Sequence, residues 1–396
     1  MKYRKFGSLD WEVSQLGFGA MRLPVIGEDQ AKIDEPEAIR MIRYAIDNGV
    51  NYLDTAYFYH MGNSEKLVGK ALADGYRERI KLVTKLPARM IDKAEDFDRI
   101  LGEQLTRLNT DKIDFYLLHG LAKDSWEKVR DMKVLAWAEQ QMAKGKFGRL
   151  GFSFHDEYAV FKEIVDAYDS WVLAQVQYNY MDVNEQAGRR GVEYAAGKGL
   201  AIVVMEPQRG GKLSKEPPKP VARVLAEAPV KLPPVEWAWR WIWNQPEISV
   251  ALSGMSTMEQ VVQNVQLAGR YDAGNLSAEE LKLYDKIREA YGTLSPVPCT
   301  NCRYCMPCPN NVEIPRIFQL YNDAVMYEDM RTGQFMYNSP FFPPDQRADN
   351  CAECGECLEK CPQNIDIPEW LKKIHGELYS AVPLGPPQPP PPKKEE

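Results

Sequence analysis

Eight short β-rich runs recur between residues 15 and 252, and longer stretches of helical periodicity separate them. The runs are Gln15–Gly17, Tyr52–Asp54, Lys81–Thr84, Phe115–Leu118, Arg149–Ser153, Leu173–Gln177, Ala201–Met205 and Ser249–Leu252. A helix after each strand carries the chain back to begin the next strand in parallel, so the repeat builds a parallel sheet sheathed in helices. Eight units in so short a span predict a closed (β/α)8 TIM barrel, an α/β fold, rather than an open sheet. Between the first two runs, Ala38, Ile39, Ile42, Ala45 and Ile46 form one stripe of a helix over 36–48, with Pro36 at its start and Gly49 just past its end. Lys2–Phe6 and Trp11–Ser14 around Gly7-Ser8 read as a hairpin ahead of the barrel. A capping box, Ser277-x-x-Glu280, opens a later helix over 277–291.

All eight cysteines lie beyond residue 298, in two runs: Cys299, Cys302, Cys305, Cys308-Pro309, and Cys351, Cys354, Cys357, Cys361-Pro362. Four disulfides are disfavoured, because neighbours at C-x-x-C spacing pair poorly. Two four-cysteine zinc sites would use the same thiolates and remain the rival reading. Tight spacing with a terminal Cys-Pro, twice over, is similar to bacterial two-cluster ferredoxins, in which three thiolates wrap one cubane and the fourth reaches the other. The 42 residues between Cys308 and Cys351 hold a helical pattern at 317–326, and another follows at 368–378. They predict a small, mostly α-helical ferredoxin-like domain. The expected organisation is a barrel over 1–294, a 4Fe-4S domain over 295–382, and a disordered proline-rich tail over 383–396.

The remaining composition is that of an ordinary globular protein, with 44% hydrophobic and 27% charged residues. A net charge of −7 disfavours nucleic acid and anionic membranes as partners. No apolar run reaches the ~20 residues that span a bilayer, and the N-terminus lacks a signal-peptide pattern. The expected location is the cytoplasm.

Barrel enzymes work at the C-terminal ends of their strands. Asp54, Lys85 and His119 close the second, third and fourth runs, and Tyr59 follows in the loop after the second. The four resemble the catalytic tetrad of the aldo-keto reductases. Reducing a carbonyl takes a hydride to carbon and a proton to oxygen. An ammonium beside a phenol lowers the phenol's pKa, so Lys85 would make Tyr59 a better acid, Asp54 would hold Lys85, and His119 would hydrogen-bond the substrate oxygen. Tyr57 competes with Tyr59, but the family's Asp-to-Tyr spacing favours Tyr59 and leaves Tyr57 as a pocket wall. The resemblance spans about residues 1–270 and includes Gly62-Asn63-Ser64-Glu65. It implies that Ser153 and Gln175 bind the nicotinamide carboxamide. It further implies that Met205 occupies the position stacking on the ring, and that Gly254, Ser256, Gln260 and Asn264 hold the adenosine end.

Three positions depart from the family. Phe154 and His155 follow Ser153 where Asn is usual, Met205 replaces an aromatic residue, and Gln260 stands where an Arg often meets the 2′-phosphate. The cofactor is therefore NADP or NAD, with Arg209 or Lys212 as alternative phosphate ligands. Trp237, Trp239, Trp241 and Trp243 read as helix packing rather than an electron relay.

The whole chain resembles the aldo-keto reductases that carry a C-terminal 4Fe-4S extension. Ferredoxin logic assigns Cys299, Cys302, Cys305 and Cys361 to one cluster, and Cys351, Cys354, Cys357 and Cys308 to the second. The first run differs from the ferredoxin pattern by ending x2, with Pro307 inside it. A nicotinamide moves two electrons at once and a cubane one, so exchange between them calls for a flavin, for which no fingerprint is present. The leading expectation is an enzyme that interconverts a small carbonyl and an alcohol, its clusters linked to a ferredoxin or other electron carrier. Purely structural clusters, or a non-catalytic electron-transfer subunit with the barrel as scaffold, are the alternatives.

Overall fold

The computed structural model describes residues 1–27, 29–382 and 384. The tail expected to be disordered, 383–396, lies outside them apart from Leu384. No helix among the described residues is long and apolar enough to cross a membrane.

A hairpin of β1 (Tyr3–Lys5) and β2 (Glu12–Ser14) precedes the barrel. Gly7 in its turn has φ +56°, and a Cβ there would lie 2.5 Å from the Ala201 nitrogen, so only glycine lets the hairpin press this closely on the strands. Eight parallel strands close the barrel: β3 (Leu16–Gly19), β4 (Tyr52–Asp54), β5 (Lys81–Pro87), β6 (Ile113–Leu121), β7 (Phe147–Phe154), β8 (Leu173–Gln177), β9 (Ala201–Met205) and β10 (Ile248–Gly254), which pairs back with β3. Their interior holds Tyr52, Val83, Phe115, Leu173, Val203 and Val250, plugged at one end by Phe6, whose ring lies 4.8 Å from that of Phe115. Removing each such side chain from water contributes about 1.5–3 kcal/mol.

The first crossover helix, Glu35–Asp47, starts at Asp34, whose side chain accepts from the Glu37 N–H. Ala38, Met41, Ile42, Ala45 and Ile46 are its buried face, close to the stripe read from the sequence. All four tryptophans of helix Pro234–Asn244 are buried. Trp239 stacks on Trp243 at 4.6 Å, Trp241 packs on Tyr178, and the Trp243 indole N–H donates to the Gln15 carbonyl at 3.1 Å. Packing accounts for these contacts.

The chain divides into two compact units. One comprises residues 1–215 and 232–279, and the other 216–231 and 280 onward. The second unit thus takes in residues 216–231 and 280–294, which the linear reading assigned to the barrel. Among the described residues it contains helices and no strand. Ile314–Met326, Met330–Asn338 and Ile367–Leu378 enclose a core of Ile317, Phe318, Tyr321, Tyr337, Leu371 and Ile374. Helix Met330–Asn338 was not expected from the sequence.

Candidate active site and cysteine hollows

Strand register aligns the candidate residues at one end of the barrel. Gly19 pairs with Asp54, Lys85 with Leu117, and Pro87 with His119. Lys85 and Asp54 are almost fully buried, at 0% and 2% exposure. The Lys85 ammonium donates to Asp54 Oδ1 at 2.6 Å, to the Thr55 carbonyl at 2.8 Å and to the Tyr59 hydroxyl at 3.4 Å. Burial disfavours the ammonium, yet Asp54 and Tyr59 together outweigh it and the Lys85 pKa moves up. Burial likewise pushes the Asp54 carboxyl up and Lys85 pulls it back; at 2.6 Å the pair stays ionic. For Tyr59, burial is again the largest effect. Lys85 opposes it, as anticipated, but the net shift is upward.

The His119 ring meets Tyr59 edge-on at 5.9 Å and lies parallel to Phe58 at 4.8 Å. Partial burial, then the Lys85 charge, holds its imidazole well below the ordinary range, so it is neutral at pH 7. His119 Nδ1 and Asp54 Oδ2 are buried without a hydrogen-bond partner among the described residues. Tyr57 points elsewhere: its hydroxyl donates to Glu103 at 2.7 Å and Arg107 covers its ring, so it does not face Lys85.

Behind the lysine lies a buried polar network. Glu65, fully buried, accepts from Thr84 Oγ1 and Gln104 Nε2, each at 2.7 Å, with Arg107 at 3.3 Å. Gln104 also donates to the Lys85 carbonyl at 3.0 Å, pinning the end of β5. His60, left-handed at φ 51°, donates to the Gln30 carbonyl and accepts from the Leu23 N–H, tying the loop after β3 to the Tyr59 turn.

Ser153 and Gln175 are direct partners on β7 and β8. Ser153 Oγ accepts from the Gly120 N–H at 2.7 Å, and Gln175 Oε1 is buried without a partner among the described residues. Met205 ends β9, half-buried. Ser256 donates to the Arg22 carbonyl at 2.7 Å, and its N–H reaches Gln260 Oε1 at 2.8 Å. Asn264 bridges Ser253 at 3.1 Å and the Trp239 indole at 2.8 Å. A Cβ on Gly254 would meet Arg22 Cδ at 3.0 Å. Arg22, just after β3, thus packs against the loop of Gly254 and Ser256, a contact the sequence did not show. Arg209 forms an ion pair with Asp182 at 3.1 Å.

The sequence of residues 15–289 matches the model of the Aldo/keto reductase family. The chain belongs to that family. A second match, to the 4Fe-4S dicluster domain, covers residues 298–365. This aldo-keto reductase is 28% identical over 311 residues to the uncharacterized oxidoreductase YqkF of Bacillus subtilis, covering 71% of this chain and 95% of that one. It is 24% identical over 317 residues to L-galactose dehydrogenase of Arabidopsis thaliana, covering 74% and 97%. Among solved structures it resembles the holo form of aldo-keto reductase AKR11C1 from Bacillus halodurans, at 29% identity and TM-score 0.59, over 73% of this chain and 97% of that one. The protein is an oxidoreductase of this type with a C-terminal iron–sulfur domain.

In that domain all eight cysteines are free, which removes the disulfide alternative. They line two hollows. One is walled by Cys299, Cys302, Cys305 and Cys361. The other is walled by Cys308, Cys351, Cys354 and Cys357, with Cys305 shared between them. Burial pushes the Cys305 thiol up to about 11, and Cys299 and Cys357 act on it from either side. No three cysteine, histidine or carboxylate side chains converge on a single-ion site among the described residues. Sulfurs set around a hollow suit a cubane better than one tetrahedral zinc. Left-handed Asn301 (φ 55°) and Arg303 (φ 62°) curl the first run around its hollow.

Proposed function

We propose that the barrel interconverts a small carbonyl compound and its alcohol with NAD(P)(H), and that Tyr59 is the proton donor and acceptor. The observation that carries this is the Lys85 ammonium, buried between Asp54, Thr55 and the Tyr59 hydroxyl at the mouth. In reduction the Tyr59 hydroxyl gives its proton to the carbonyl oxygen, and Lys85 stabilises the phenolate left behind. Asp54 and the Thr55 carbonyl fix where that charge sits. Neutral His119 donates its one N–H to the same oxygen, its plane held by the stacked Phe58. A bound nicotinamide supplies or accepts the hydride.

The residues present fit that group. Gln175 Oε1 is an orphaned acceptor suited to a carboxamide NH2, and Ser153, already an acceptor for Gly120, keeps its hydroxyl proton for the carboxamide oxygen. Gly254, Ser256, Gln260 and Asn264, with Met205 at the ring, complete the proposed cofactor set; NADP or NAD is a question for direct titration.

The two hollows support two 4Fe-4S clusters, one on Cys299, Cys302, Cys305 and Cys361, the other on Cys308, Cys351, Cys354 and Cys357. Such clusters pass single electrons and would link the enzyme to a ferredoxin or similar carrier. The barrel and iron–sulfur assignments to 1–294 and 295–382 are proposed as functional regions of one cytoplasmic enzyme.

Tyr59→Phe tests the reading. Carbonyl turnover should fall by about 100-fold or more while dinucleotide affinity is retained. Undiminished turnover removes Tyr59 from the chemistry.

A further inference from the structure

We infer that the substrate carries an anionic group, a carboxylate or its equivalent, received by Arg89 beside His119; this rests on the reductase reading above. Arg89 lies in the turn Ala88–Met90, directly after Pro87, and Pro87 is the register partner of His119. On the next strand Phe154 pairs with Leu121, and the following His155 N–H donates to the Leu121 carbonyl at 2.9 Å. Three consecutive strand ends therefore bring Arg89, His119 and His155 side by side. The electrostatics agree: removal from water comes first at both imidazoles and the Arg89 charge adds to it at both, while at His155 the Glu206 carboxylate, paired with Arg22, acts the other way.

Arg89, Lys93 and Lys123 are exposed cations on the loops after β5 and β6 with no side-chain partner among the described residues, and of the three only Arg89 acts on both His119 and His155. Lys85 is taken by Asp54, Arg22 by Glu206 at 3.4 Å, Arg209 by Asp182 at 3.1 Å and Lys128 by Asp92 at 3.8 Å. The Arg89 side chain is exposed, and among the described residues no hydrogen bond or ion pair involves its guanidinium. Its planar fork matches a carboxylate through two parallel N–H···O bonds. Around it the rim is apolar: Met21, Phe58, Met61 and Met90, on the loops after β3, β4 and β5, are 40–78% exposed. A carbonyl compound with an apolar body and a carboxylate at one end satisfies both features.

The test compares 4-carboxybenzaldehyde with its methyl ester, which differ in charge far more than in size. The wild-type enzyme should favour the acid in kcat/KM by about tenfold or more, mainly through KM. Arg89→Gln should collapse that ratio, and Arg89→Lys should restore part of it. A ratio near one in the wild type, or one unmoved by Arg89→Gln, overturns the inference. Calorimetric binding of 4-(hydroxymethyl)benzoate and its methyl ester separates it from the catalytic reading. If neither aldehyde turns over but the acid binds in an Arg89-dependent way, the anion site stands and the reductase assignment falls. Equal binding of acid and ester by the wild type and Arg89→Gln overturns the anion site, whatever the turnover.

Discussion

Replacing Lys85 with methionine removes a charge while keeping most of the side chain's bulk. Asp54, 2% exposed, would lose its 2.6 Å partner, and its second oxygen has none among the described residues. Stranding one member of a buried pair costs about 3–5 kcal/mol. In a barrel of this size each kcal/mol lowers Tm by about 2–4 °C, so a fall of roughly 6–20 °C is expected at neutral pH. The loss depends on pH with a definite sign. Burial already raises the Asp54 carboxyl, and without Lys85 nothing opposes that rise. Its folded pKa then stands well above the unfolded value near ~4, so the folded state binds more protons between the two. Stability is greatest below the unfolded pKa and declines as pH rises through the folded one. Urea unfolding followed by tryptophan fluorescence should show a large penalty at pH 8 and a smaller one at pH 5. Adding Asp54→Asn removes the stranded charge and should recover most of the loss. A penalty below about 1 kcal/mol, the scale of an exposed pair, refutes the argument, as does one equal at both pH values.

The net upward shift of Tyr59 keeps its phenol protonated through the neutral range. Alcohol oxidation, which needs the phenolate, should accelerate with pH to beyond ~10, while carbonyl reduction stays level below it; an oxidation plateau before pH 8 contradicts this. Iron analysis of cysteine variants checks the crossed ligand sets. Cys299→Ala with Cys361→Ala should lose roughly half the iron, as either does alone, whereas Cys299→Ala with Cys308→Ala should lose nearly all of it. Equal losses in the two double variants rule out the crossing.

The barrel was legible because its strands are buried on both faces and read as continuous apolar runs, as in Ala201–Met205. The candidate positions Asp54, Lys85 and His119 come from the rule that function gathers at strand ends, and Tyr59 from the family resemblance. What escaped depends on elements meeting across the fold. The family's Asp-to-Tyr spacing favours Tyr59, but the reason Tyr57 turns away is long-range: helix Glu95–Arg107 brings Glu103 to its hydroxyl, 46 residues distant. The stacking of Phe58 on His119 joins the loop after β4 to the end of β6, which share no sequence signal. Helix Met330–Asn338 is short and contains Gly333, a poor helix former, and what holds it is the packing of Tyr337 within its unit's core. The grouping of residues 216–231 with the far end of the chain has no local signature at all.

Each cysteine hollow takes walls from both runs, which lie 42 residues apart. A nascent chain that has made only the first run therefore owns no complete binding site, and its four thiols stand unguarded. Metal loading must wait until helices Ile314–Met326 and Ile367–Leu378 have brought the two runs into register. On the proposed crossed ligand sets, assembly of the iron centres thereby becomes a checkpoint on folding, and loss of a whole run, unlike loss of one of its cysteines, disables both centres at once.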